Sequence, residues 1–182
     1  MDKFAEKTLH TERIFQGKVI SLQVDDVQLP DGNTSKREIV KHPGAVAIIP
    51  ITEDGKMVLV EQYRKALERS LIEIPAGKLE SGEEPRTTAF RELEEETGYT
   101  TNDLQYITSF ATSPGFADEV IHLYVAKNIT VVENKRAGDD DEFVELVEVT
   151  LAEAEQLEQD NRIWDAKTAY AIMYARWKGI VK

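Results

Sequence analysis

Gly77-Lys78-Leu79-Glu80-Ser81-Gly82-Glu83-Glu84-Pro85-Arg86-Thr87-Thr88-Ala89-Phe90-Arg91-Glu92-Leu93-Glu94-Glu95-Glu96-Thr97-Gly98-Tyr99 sets seven acids against three bases within one short stretch. Pro85 near its start and Gly98 just past its end predict a helix over about Pro85 to Thr97, since Pro suits the first helical turn and Gly the cap beyond the last. On that helix Glu92, Glu95 and Glu96 are spaced i, i+3, i+4, so their carboxylates share one arc. Ala89, Phe90 and Leu93 supply an adjoining apolar face, so one side can pack while another stays anionic. Arg91 is one counter-charge against three carboxylates that repel one another. A divalent cation would relieve that repulsion, and oxygen-only ligands suit Mg2+ or Mn2+. Gly77 and Gly82 permit a tight loop ahead of the helix, bringing backbone carbonyls and Glu83 towards the same place. Taken alone, an acidic run on a helix is more often a solvated face, so its surroundings decide.

The chain has 182 residues, 22 Lys and Arg against 34 Asp and Glu, a net charge of −12 and no Cys. That length suits one domain, or one with a small appendage, and 41% hydrophobic residues suffice for a core. Without Cys there is no disulfide scaffold, thiolate metal site or Cys nucleophile. The acidic balance argues against nucleic acid and anionic membranes as partners, both of which need clustered Lys and Arg. It leaves room for a phosphate compound bridged by cations, which reverse the local sign. Much of the acidity is concentrated: residues 139–160 hold ten acids and no base. The start, Met1 to Lys7, lacks the apolar core of a signal peptide, and the apolar run Ala45–Ile51 is too short to span a bilayer. A soluble, cytoplasmic protein is the expectation.

Turn signals divide the rest. Lys18–Leu29 alternates apolar and polar residues, and Pro30-Asp31-Gly32-Asn33 predicts a hairpin turn into a strand over Lys36–Lys41. Ala45–Ile51 and Met57–Tyr63, joined across Asp54-Gly55, read as a buried hairpin. Leu71–Ile74, Leu104–Thr112, Val120–Ala126 and Phe143–Thr150 read as further strands. Leu151–Gln159 and Ala166–Lys178 read as helices, the second with Ala169, Ile172, Met173 and Trp177 on its apolar stripe. The pattern is α+β, a mixed α/β/α sandwich, with residues 1–43 as an N-terminal β-hairpin region too small to fold alone and 44–182 as the main domain. Ser113-Pro114-Gly115-Phe116 places Pro and Gly where a type II turn wants them.

The spacing Gly77-x5-Glu83-x7-Arg91-Glu92-Leu93-x-Glu95-Glu96-x-Gly98 resembles the Nudix box, the signature of the Nudix hydrolase family, with Tyr99 standing where the family usually has an aliphatic residue. The resemblance implies a Nudix fold and hydrolysis of a nucleoside diphosphate linked to another group, with bound divalent cations. It implies metal binding by Glu92, Glu95, Glu96 and the Ala76 carbonyl, with Arg91 orienting the cluster and Glu83 supporting it. Pro114, sixteen residues after Gly98, resembles a marker of the family's ADP-ribose pyrophosphatases. So do Arg37-Glu38, His42-Pro43-Gly44-Ala45-Val46, Glu61-Gln62-Tyr63-Arg64, Glu73-Ile74-Pro75-Ala76-Gly77 and Asp141-Glu142-Phe143-Val144-Glu145.

That subfamily implies ADP-ribose as substrate, Mg2+ (or Mn2+) as cofactor, and a homodimer through a swapped N-terminal hairpin. It also implies that an acidic loop brings a Glu to the metal site as ligand or general base. Glu142 is the best match, as catalytic base and metal ligand, and Asp140 the second. Asp139-Asp140-Asp141-Glu142 is not an EF-hand, because Val144 and Thr150 stand where Gly and Glu are needed. Arg64 and Arg37 resemble phosphate-contacting residues, and Pro114 with Gly115 the substrate-side turn. Phe15 reads as a packed Phe or as a stack for adenine, and Glu119 as a substrate contact or an exposed strand-end acid. The other class in view is an ADP-ribose sensor that binds without hydrolysis. The retained box acids and the absence of a basic patch argue against it.

Overall fold

The computed structural model describes residues 2–133 and 143–182, and the chain divides into two units. The first takes in the chain up to Gly44 together with Phe110–Ile121. Its sheet consists of β1 (Lys7–Gln16), β2 (Ser21–Gln28) and β3 (Thr34–Lys41), antiparallel in the order β1-β2-β3. The β2–β3 turn forms at the predicted place. Gly32 takes φ 90°, and its N–H donates to the Leu29 carbonyl at 2.9 Å.

The predicted hairpin is therefore part of a three-stranded sheet. β1 left no mark in the sequence because all ten of its residues are exposed, so burial gives it no period of two. In the same unit Ser113–Ala117 is not a type II turn. Gly115 does not take the positive φ that such a turn requires, and the Ser113 carbonyl instead accepts from both Phe116 N (3.1 Å) and Ala117 N (2.9 Å), the bonding of a helical turn. The segment is held to β3 by a bond from Val40 N to the Phe116 carbonyl at 2.8 Å.

The second unit, Ala45–Ser109 with His122–Lys182, holds the remaining elements. They are β4 (Ala45–Pro50), β5 (Met57–Arg64), β6 (Arg69–Glu73), β7 (Ala76–Lys78), α1 (Pro85–Thr97), β8 (Tyr99–Thr100), β9 (Asp103–Ala111), β10 (Val120–Lys127), β11 (Thr130–Val131), β12 (Val144–Val149), α2 (Leu151–Gln159) and α3 (Ala166–Lys178), with the outer ends of β9 and β10 continuing into the first unit. β4 and β5 do not form a hairpin. They meet in one bridge, Ile51 with Met57, and then enter different sheets, ordered β7-β4-β10-β9 and β12-β5-β6. The reason is burial: every residue of β4 and the first four of β5 are buried, so each strand is covered on both faces and hydrogen-bonded on both edges.

α1 starts on Pro85 and ends where Gly98, at φ 73°, donates to the Glu94 carbonyl. Ala89 and Leu93 enter the core formed by Val46, Ile48, Leu104, Tyr124 and Ala126, which lays α1 against β4 and β7 and sets the acidic arc beside β7. α2 begins with a Thr150–Glu153 capping box. α3 buries Thr168, Ala171, Ile172 and Ala175, whereas Met173 and Trp177 are exposed, so the expected stripe is corrected by about one position. Small residues on this face let the helix come close enough for Ile74 N to bond Thr168 Oγ1 at 3.0 Å. Among the described residues no helix is long and apolar enough to cross a membrane.

Candidate active site

Arg91 is the hub of the acidic arc. Its Nη1 donates to Glu92 Oε1 at 2.7 Å and to Glu95 Oε2 at 2.8 Å, and its Nη2 to Glu83 Oε2 at 3.1 Å. Thr88 Oγ1 adds a 2.8 Å bond to Glu83, fixing the loop acid against the helix. Burial disfavours the Arg91 charge, but the bonds to Glu83, Glu95 and Glu92 outweigh it and hold the guanidinium firmly protonated. The same Arg91 bond holds the Glu83 carboxyl below its usual range.

Glu96, only 3% exposed, accepts from Ala76 N at 2.9 Å and so ties the end of the arc to β7. Gly77 has an ordinary φ, so it is not there for a turn. A Cβ at that position would overlap the Glu92 carboxylate. The predicted loop role belongs to Gly82, at φ 81°, and Gly77 is needed for close approach.

Among the described residues no group of three His, Asp or Glu is arranged to hold a metal ion, and Arg91 is paired with Glu92 and Glu95. The donor set nonetheless fits a hard divalent cation. It is all oxygen, Glu92 and Glu96 are buried on one arc, and three carboxylates share one guanidinium.

Arg64 lies in the same unit. Its Nε and Nη2 donate to the two oxygens of Glu73 at 2.7 and 2.9 Å, and it also feels the charge of Glu96. Lys167 Nζ donates to Glu73 Oε2, the oxygen that Arg64 Nη2 also bonds, and to Asp165 Oδ1 at 2.9 Å. Burial alone would raise the Glu73 pKa, but the Arg64 bonds and the Lys167 charge bring it down to about 2. A carboxyl with a depressed folded pKa adds stability that is complete above its ordinary 4.5 and lost as pH falls towards 2. We therefore expect the Tm difference between the natural protein and Glu73→Gln to be largest at neutral pH and to close between pH 4.5 and about 2, read by thermal denaturation across that range.

The sequence pattern of the NUDIX domain matches residues 41–171, and that of the nucleoside diphosphate sugar hydrolase N-terminal domain matches residues 6–40. The chain belongs to the Nudix hydrolase family. It is 59% identical over 178 residues to the ADP-ribose pyrophosphatase of Bacillus subtilis (strain 168), spanning 98% of this chain and 96% of that one. It is 61% identical over 179 residues to the methanol dehydrogenase activator of Bacillus methanolicus, spanning 98% and 97%. A crystal structure of an ADP compounds hydrolase superposes with a TM-score of 0.83 over 97% of both chains at 23% identity, a likeness of fold. The protein is thus a Nudix-fold enzyme of the α+β class, and hydrolases of this family generally use a divalent metal.

Within this Nudix chain, Arg37, Pro114, Gly115, Glu119 and Phe15 belong to the first unit. Arg37 is engaged by Glu6 through Nε at 2.9 Å and Nη2 at 2.5 Å. Pro114 and Gly115 form the helical turn already described, and Glu119 accepts from Thr112 Oγ1 at 2.6 Å and faces His42 Nδ1 at 3.5 Å. Phe15 is 54% exposed in the single chain, carried by β1 opposite Leu22. Glu142 and Asp140 lie outside the described residues. Sequence reasoning quoted Glu73 only within a subfamily run, without a role, and missed Lys167 and Asp165. A charged residue inside the apolar run Leu71–Ile74 was the available signal for Glu73.

Proposed function

We propose that the protein hydrolyses the pyrophosphate of ADP-ribose to AMP and ribose 5-phosphate, with Mg2+ (Mn2+ as substitute), and extends to other nucleoside diphosphate sugars. The observation that carries this is the intact acidic cluster on Arg91 and β7, in a chain 59% identical along nearly its whole length to a protein named ADP-ribose pyrophosphatase. In this reading Glu92, Glu95, Glu96 and the Ala76 carbonyl hold the cation, joined by Glu142. A cation held there would supply neutralisation of pyrophosphate charge, activation of water and stabilisation of the departing oxygen.

The chain's own groups do the rest. Arg91 holds Glu92 and Glu95 in place through its Nη1, and Ala76 N fixes Glu96. Glu142, with Asp140 as the alternative, takes the proton of the attacking water. Arg64 and Arg37 bind phosphate oxygens, and Pro114 and Gly115 shape the substrate side. The water oxygen bonds one phosphorus while the bridging oxygen leaves with the other phosphate. Assaying purified protein with ADP-ribose, NADH, ADP-glucose, a flavin dinucleotide, diadenosine polyphosphates and 8-oxo-dGTP, with and without chelator, tests the reading. A preference for 8-oxo-dGTP over ADP-ribose defeats it.

The proposal includes a cytoplasmic homodimer formed through the N-terminal unit. β1 supports it by exposing three large apolar side chains, Leu9, Ile14 and Phe15, on an outer strand. Size-exclusion with light scattering should give twice the 20.6 kDa chain mass, and Ile14→Glu should shift it towards one chain. A natural protein running as a single chain removes the dimer.

A second role rests on the relative named methanol dehydrogenase activator. If this chain shares it, adding the protein to a methanol dehydrogenase raises turnover, and Glu96→Gln abolishes the stimulation.

A further inference from the structure

Glu73 ends β6 between Ile72 and Ile74 and is 2% exposed. An unpaired carboxylate there would cost several kcal/mol, so its retention depends on what it holds. It holds two cations that come from distant parts of the chain. Arg64 stands at the exit of β5, where the strand changes from buried to open, and Lys167 stands in the first turn of α3. We propose that Glu73, itself held by Lys167, is the positioning residue that presents Arg64 to the substrate's pyrophosphate. The inference rests on the assignment of Arg64 to phosphate binding above.

The geometry carries it in three steps. First, Arg64 meets Glu73 side-on, with Nε on one oxygen and Nη2 on the other, which fixes the guanidinium plane rather than only its distance. Without that clamp a long Arg side chain keeps about 2 kcal/mol of rotamer entropy, to be lost on binding substrate. Second, the side-on pairing uses two of the five N–H groups, so both Nη1 hydrogens and one on Nη2 are turned away from Glu73. The side chain remains 40% exposed, so this outer edge is open to an anion, and Arg64 is close enough to Glu96 to be stabilised by its charge.

Third, Glu73 is itself immobilised. Lys167 binds its Oε2, Asp165 binds Lys167, and Asp165 caps Thr168 N at 3.1 Å. A purely structural role, tying α3 to the sheet, is already served by the Ile74–Thr168 bond and does not need Arg64.

The test is a double-variant cycle on KM and kcat for ADP-ribose, with Tm recorded. Arg64→Ala is expected to raise KM about 10-fold or more, the loss of a charge-assisted contact. Glu73→Gln is expected to raise KM in the same direction with a smaller change in kcat, and to add less than about 2-fold in the Arg64→Ala background, as residues acting through one another do. Unchanged KM in Arg64→Ala removes the phosphate assignment and this proposal with it. Raised KM in Arg64→Ala, with Glu73→Gln either silent or fully multiplicative, overturns the positioning role while Arg64 keeps its own. Should Glu73→Gln not fold, Lys167→Gln leaves both Glu73 and Arg64 in place. It is expected to raise KM, and an unchanged KM there overturns the proposal.

Discussion

Glu96→Gln is expected to fold normally and to lose about 10²-fold or more of ADP-ribose turnover. The two halves of that result have separate causes. Glu96 is almost fully buried and accepts a bond from Ala76 N, a bond that an amide oxygen still accepts, though without the charge. Replacing a buried charge by a neutral group of the same shape lowers the desolvation cost, so Tm should stay level or rise. Turnover falls because a neutral amide is a poor ligand for a hard divalent cation. The concentration of Mg2+ giving half-maximal rate should rise in the same variant. Thermal denaturation with kcat measured across a Mg2+ series checks both halves, and near-natural kcat in a folded Glu96→Gln would remove Glu96 from the ligand set. Glu95 is the less decisive position, since it is more exposed and bonded to Arg91.

Features set by local chemistry were legible in the sequence. α1 runs Pro85–Thr97 as its Pro and Gly signals predict, because a missing N–H is harmless in a first turn and only a left-handed residue closes the last. The acidic arc was legible because carboxylates at i, i+3 and i+4 share one face of a helix. Features set by distant partners were not. β1 has no apolar alternation to detect, since none of its residues is buried. β4 and β5 look like a hairpin until their other partners are known, and only the pairing in two sheets separates them. On α3 the two large apolar side chains, Met173 and Trp177, suggested the core face, while the close approach to Ile74 selected small residues instead. Glu73 and Lys167 stand 94 residues apart, so no local window contains both halves of the pair. The Gly115 turn was misread because Pro-Gly permits a type II turn without requiring one.

Gly77→Ala is expected to cost about 10²-fold in activity, although it adds a single methyl group at a residue with no strained backbone angle. The methyl would lie inside the volume of the Glu92 carboxylate, so either that carboxylate or β7 has to move. Glu92 has little room to yield, since it is buried and its Oε1 is fixed by Arg91, which also holds Glu95 and Glu83. Moving β7 carries Ala76 with it, and with Ala76 the bond that places Glu96. Each route displaces at least one proposed ligand, and a misplacement of about 1 Å is enough for a loss of that size. Overpacking should also lower stability by about 1–3 kcal/mol, so the loss of activity has to be separated from the loss of fold. Gly179→Ala provides the comparison: it imposes a left-handed φ of 60° on Ala with open space around the new methyl. It should cost stability by about 1–2 kcal/mol while leaving kcat within about 2-fold. Equal activity losses in the two variants at equal Tm would place the effect of Gly77→Ala in stability. A selective loss in Gly77→Ala, with a raised Mg2+ requirement, places it in the seat of Glu92.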